Sequence, residues 1–381
     1  MKRLGFFVAA LIGAIVVAAA QAEAMPPFAQ AYGINCDTCH TMVPTLNAYG
    51  RYVQRTGYGS LDPHTLHRAF PVWVGYQLTY DSQSGQPDNP PKINGGNVEI
   101  HAVGAIGNDF TYHAQQWVWS NSQAGDLDTL WLAYNNVLHR DGHLFLGKIE
   151  SPGPSQFSMW ADIAPFDPPE LVVGEHSYLT DANRWGAKLN YVRDRYDLQA
   201  GWLYSDAGWS GSSDFVNSDK TFQYAASLSD PTKPWALGYL GSAGAVPVST
   251  GYDHYWTWGG WAQVDPTKHL PGAYLLYQGT SDNNPGADPN TGDQLAAASG
   301  HAFSAELYDT FFHGNVYLSA RKQWMNDGLG NPSQDGSVDL SFVFTKYLRG
   351  YTELYMAQNS TPAWRYFVWW TTPIFAQPIR P

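Results

Sequence analysis

Val72-Trp-Val-Gly-Tyr-Gln-Leu-Thr-Tyr80 changes the character of its side chains at every second position. Val72, Val74, Tyr76, Leu78 and Tyr80 fall on one face of an extended chain, and Trp73, Gly75, Gln77 and Thr79 on the other. A period of two marks a β-strand. The alternation returns at Trp185, Ala187, Leu189 and Tyr191, at Tyr196, Leu198, Ala200, Trp202 and Tyr204, and at Val338, Leu340, Phe342 and Phe344. Runs of about ten residues exceed the roughly five or six of soluble strands and suit a tilted strand crossing a bilayer.

Working outward, about sixteen such segments can be read, an even number as bacterial barrels require. They cover 72–80, 97–106, 109–120, 127–138, 143–149, 185–193, 195–205, 221–229, 235–241, 254–265, 272–280, 301–312, 315–325, 337–346, 349–358 and 363–371. Tight turns stand at Gly107-Asn108, Arg140-Asp141-Gly142, Arg193-Asp194-Arg195 and His313-Gly314. Polar loops stand at 81–96, 150–184, 206–220, 242–253, 281–300 and 326–336. Short and long connections alternate, as in outer-membrane barrels with short periplasmic turns and long outer loops. A propeller would repeat its sequence blade by blade, which this chain does not. A secreted β-sandwich is the competing all-β architecture. Trp117, Trp119, Trp256, Trp258, Trp369 and Trp370 near strand ends suit interfacial girdles or plain packing.

Composition agrees. Of 381 residues, 44 % are hydrophobic, 15 % aromatic and only 14 % charged, against about 25 % charged in soluble domains. The net charge is −12, without a Lys/Arg run, which argues against nucleic acid as a partner. Lys2 and Arg3, the apolar stretch Leu4–Ala20 and Ala22-Glu23-Ala24 read as a signal peptide over 1–24, with the mature chain starting near Met25.

The two cysteines of the chain sit in Cys36-Asp37-Thr38-Cys39-His40. Two thiols three residues apart can add to the two vinyl groups of a porphyrin, and the following histidine can ligate the iron. This is the attachment motif of one c-type haem. A redox dithiol would need a thioredoxin-like context, a zinc site more ligands, and a disulfide gives no role to His40. The sixth ligand stays open among His64, His67, Met42 and Met159. The segment 25–70 holds a helix-compatible stretch, Thr45–Thr56, with Leu46, Tyr49 and Val53 on one face. At about 45 residues it is near the lower limit for independent folding. The expectation is a short, partly helical haem segment plugging the lumen of a barrel formed by 71–381.

The run Ala24-Met-Pro-Pro-Phe-Ala29, Cys36-Asp-Thr-Cys-His40, Pro44-Thr-Leu-Asn47, Gly50-Arg51 and Gly57-Tyr58 resembles the outer-membrane monohaem cytochrome–porin fusions, best known as ferrous-iron oxidases. The likeness departs at Gln30, where that family often has arginine, and at Gln377-Pro-Ile-Arg-Pro381, where a terminal aromatic residue is typical. The resemblance implies an oxidoreductase that takes electrons from extracellular Fe(II) and passes them to a periplasmic cytochrome c or copper protein. Cys36, Cys39 and His40 would carry the haem. Loop carboxylates such as Asp162, Asp167, Glu170 and Glu175 could receive iron, although solvating a loop is the plainer role. Two alternatives remain: a general electron conduit with another donor or acceptor, and a diffusion porin with an accessory haem segment.

Overall fold

The computed structural model describes residues 32–42, 45–65, 72–82, 92–120, 123–150, 171–178, 183–204, 220–312, 314–345 and 348–373. The signal peptide reading, Gln30, the C-terminal residues 377–381, His67, Met159, Asp162, Asp167 and Glu170 lie outside them. Among the described residues no helix is long and apolar enough to cross a membrane.

Sixteen long antiparallel strands close into one barrel. They are β1 Val72–Asp81, β2 Lys92–Ile106, β3 Phe110–Ser120, β4 Leu127–Val137, β5 Gly142–Glu150, β6 Asn183–Arg193, β7 Tyr196–Tyr204 and β8 Lys220–Leu228. Then follow β9 Trp235–Val248, β10 Gly251–Val264, β11 Gly272–Asp282, β12 His301–Phe311, β13 Val316–Asn326, β14 Pro332–Thr345, β15 Leu348–Ala357 and β16 Ala363–Pro373. Each pairs with its neighbour in sequence, and β16 pairs with β1 from Arg365↔Asp81 to Pro373↔Trp73. Closure removes the sheet edges, so the ladder satisfies its own backbone polar groups, the condition for spanning lipid.

The polarity of the wall is inverted relative to a soluble protein. In β7, Tyr196, Leu198, Ala200 and Trp202 are exposed, while Asp197, Gln199 and Leu203 are buried. In β1, Tyr76 and Leu78 point out and Trp73 and Gln77 point in. Around the barrel, buried polar groups such as Glu99, Gln115, Asp339 and Glu353 face inward while leucines, valines and aromatics face out. A sandwich would bury its apolar face, so this distribution selects a lipid-facing barrel.

The turns read from sequence are present. Gly107, Asp194 and Gly314 adopt positive φ at tight connections on one end of the barrel. Three boundaries differ from the sequence reading. Residues 242–253 do not form a loop: β9 and β10 run on and meet at Ser249-Thr250. The small residues there lie opposite bulky ones, Gly241 beside Trp258, Ala243 beside Trp256 and Gly244 beside Tyr255, so weak strand formers are carried by a strong partner. For the same reason β14 begins at Pro332, paired with Asn326, and not near 337. β2 begins at Lys92, paired with Asp81, and not near 97. The aromatic girdle also needs correction. Trp119, Trp256 and Trp370 are exposed, but Trp369 is buried against Trp73, with the Arg349 guanidinium 3.7 Å from its ring centre.

Leu132 lies mid-strand in β4 and points outward. Leu132→Arg should lower the unfolding free energy in lipid vesicles by about 2–4 kcal/mol, measured by denaturant titration of tryptophan fluorescence.

Candidate functional site

The Cys36–His40 motif begins as a single turn of 3₁₀-helix, Cys36–Thr38. Only the backbone of Cys36 is described, and Cys39 follows directly after this turn. Cys39 and His40 are half-buried. His40 opens a two-stranded hairpin with Thr45–Leu46, pairing with Leu46.

Helix α1, Ala48–Arg55, follows at once. Its N-cap, Asn47, does two jobs. The Asn47 Oδ1 accepts from the Gly50 amide at 2.9 Å, and the Nδ2 donates to the carbonyls of Asp37 and Thr38 at 3.0 and 3.2 Å. The Asn47 amide also donates to the Cys39 carbonyl at 2.9 Å. The motif turn is thus strapped to the helix start. Gly50 is required by this approach, because a Cβ there would collide with the Cys39 carbonyl.

The far side of α1 meets the barrel wall. Arg51 is fully buried and makes a bidentate pair with Asp265, at 2.7 and 2.9 Å, just beyond β10. It also donates to the Leu46 carbonyl. Arg55 donates to the Ser229 carbonyl at 3.0 Å, and Asn190 on β6 donates to the Arg55 carbonyl at 2.9 Å. Gln54 donates to Glu150 at the end of β5. After the helix, Gly57 turns the chain with φ 53°, packed so closely on Phe145 that a side chain would not fit. Tyr58 then bonds its hydroxyl to His113 on β3 and packs on Trp131 of β4. Burial raises the Tyr58 hydroxyl well above its usual range. Burial also raises the Asp265 carboxyl, against the opposing pull of Arg51. An apolar cluster of Tyr32, Val53, Tyr58, Leu61, Trp131 and Phe145 joins the segment to the wall, and Ile34, Cys39 and Tyr49 pack on it.

Ser229 and Asp265 belong to short turns, so α1 docks at the short-turn end of the barrel, the periplasmic end of such proteins. The other predicted residues are not gathered there in a way that reveals a sixth ligand. His64 is exposed, with its amide on the Asp62 carboxylate. Only the backbone of Met42 is described. Sequence reasoning missed the buried pair His101 and His113, stacked within the lumen beside Tyr58. It also missed a second cluster at the opposite end. A small hairpin, Leu171–Val173 with His176–Tyr178, folds back from the loop after β5. Its tip residue Glu175 accepts from the amides of Ala287 and Ser249 at 2.9 and 2.7 Å, and these bonds, the Ala287 amide foremost, hold its carboxyl below the usual range. Glu175 is therefore a clasp and not merely a solvating charge.

No family model and no curated protein matches the chain. Solved structures do. OmpF of Salmonella typhi, solved with daunomycin, superposes with a TM-score of 0.57 at 10 % identity, over 80 % of this chain and 97 % of that one. The anion-selective porin of Comamonas acidovorans gives 0.56 at 9 %, over 80 % and 99 %. OmpT of Vibrio cholerae gives 0.54 at 12 %, over 80 % and 99 %. The fold is that of the outer-membrane porins, and the chain is an outer-membrane barrel.

Arg51→Leu should strand Asp265 as an unpaired buried charge and cost about 3–5 kcal/mol of segment docking. The expected readout is protease cleavage between 45 and 65 in the variant, with the barrel core intact.

Proposed function

We propose that this porin-like barrel holds a covalent c-type haem segment in its lumen and serves as an electron conduit across the outer membrane. The observation that carries the reading is the Asn47 strap. It ties the Cys36–His40 turn to a helix whose arginine is anchored in the wall. Cys36 and Cys39 would hold the haem as thioethers, and His40 would ligate its iron. The donor set suits that group, and the aromatic cluster beside Cys39 supplies an apolar flank. The haem would bring one-electron chemistry.

The remaining work falls to the chain itself. Asn47 fixes the attachment turn. Arg51 and Asp265 seat the segment near the periplasmic end, where a soluble carrier can approach. The closed wall keeps lipid out. Extracellular Fe(II) as donor, and a periplasmic cytochrome c or copper protein as acceptor, follow from the resemblance of the Ala24–Tyr58 run to the ferrous-iron-oxidising cytochrome–porin fusions. Neither reaction requires an acid, base or nucleophile.

A second reading, a diffusion porin, is favoured by the fold itself: sixteen strands enclose a lumen wide enough for an aqueous channel, and one of the neighbours above is an anion-selective porin. One preparation separates the two. Anaerobically purified protein should show a covalent haem band that Fe(II) reduces rapidly. It should leave liposomes tight to small sugars. A haem that dithionite but not Fe(II) reduces would move the donor elsewhere. Correctly matured protein with no haem, and liposomes that swell, would leave the porin reading standing.

A further inference from the structure

His176, Asp253 and Asp282 converge from three separate stretches of chain at the long-loop end of the barrel. His176 comes from the small hairpin, Asp253 from the start of β10, and Asp282 from the end of β11. All three are buried, and one ligating atom from each lies within 4.8 Å of the others. The His176 Nδ1 stands 3.4 Å from Asp253 Oδ2 and 3.6 Å from Asp282 Oδ1. Ligand atoms about 2.1 Å from a tetrahedral ion stand roughly 3.4 Å apart, so the spacing is that of a coordination sphere.

The charge balance is the second observation. A carboxylate oxygen of Asp253 lies within 4.8 Å of one of Asp282. Among the described residues no lysine or arginine makes an ion pair with either. Two carboxylates in contact away from water repel unless a proton or a cation lies between them. Protein donors already hold both carboxylates in place. The Asn284 amide donates to Asp253 Oδ1, the Thr280 hydroxyl to Asp282 Oδ2, and the Tyr178 hydroxyl to Asp282 Oδ1. Such bonds orient carboxylates for an ion. Rings complete the enclosure, with Tyr255 edge-on to His176 at 4.5 Å.

We propose that His176, Asp253 and Asp282 bind one divalent first-row transition cation, which clasps the 171–178 hairpin to the barrel wall. One imidazole with two carboxylates favours such an ion over calcium or magnesium, which prefer all-oxygen cages. The site is independent of the haem segment. Along β10 the twelve-residue step from Asp253 to Asp265 is about 40 Å at roughly 3.3 Å per residue, so cation and helix α1 occupy opposite ends of the barrel.

The test uses the full-length protein in detergent, stripped with a chelator and titrated with Zn(II). Bound metal is counted by elemental analysis, and the hairpin is followed by limited proteolysis around 171–178. The expected result is one Zn(II) per chain and a hairpin that resists cleavage only with metal. The double variant Asp253→Asn/Asp282→Asn should weaken binding by more than about a hundredfold, the upper end of what even outer-shell losses cost. Should that variant fail to fold, His176→Gln, which lies on the hairpin and outside the sixteen strands, should show the same loss. Wild-type protein that takes up no stoichiometric Zn(II) overturns the proposal, as does binding unchanged in His176→Gln. Hairpin protection that tracks acidification instead of metal would assign the pair a shared proton and overturn it too.

Discussion

Every backbone amide and carbonyl at membrane depth must find a partner within the protein, because lipid offers none. In this chain the ladder between β16 and β1 meets that demand. Once those strands pair, the sheet has no edge, its diameter is set by sixteen strands, and each residue is committed to lipid or to lumen by its parity. The lumen that results is too wide to be filled by wall side chains alone. The polar interior of the wall and the seat of α1 both follow from that geometry. Asp265 and Ser229 await the helix because inward positions near the turns are not needed for a core.

The wall was largely legible in sequence because lipid exposure writes a strict period-two code. Leu198, Ala200 and Trp202 against Asp197 and Gln199 need no tertiary knowledge to interpret. Boundaries failed where strand identity comes from a neighbour and not from the strand. Ser242-Ala-Gly-Ala245 resembles a loop in isolation and becomes a strand opposite Thr257, Trp256 and Tyr255. The same holds for Ser333-Gln-Asp-Gly336, carried by Lys322–Met325.

The candidate site divides along the same line. Cys36, Cys39 and His40 announce themselves by spacing, and Asn47, Gly50, Arg51, Gly57 and Tyr58 were visible as a dense run. Their roles were not visible, since each depends on something remote: Gly50 on the Cys39 carbonyl, Arg51 on Asp265, Tyr58 on His113. The His176 cluster was hidden more completely. All three members sat in stretches read as polar loops, His176 in 150–184, Asp253 in 242–253 and Asp282 in 281–300. Only the register that places Tyr255 opposite Asp282, and so brings Asp253 beside it on the same face, puts the two carboxylates together.

Arg51 and Asp265 are 214 residues apart in the chain. The α1 segment therefore cannot be seated until β10, which carries the chain to Asp265, has taken its place in the barrel. The buried ion pair thus closes late, and ties the seating of the segment to the completion of the wall it joins.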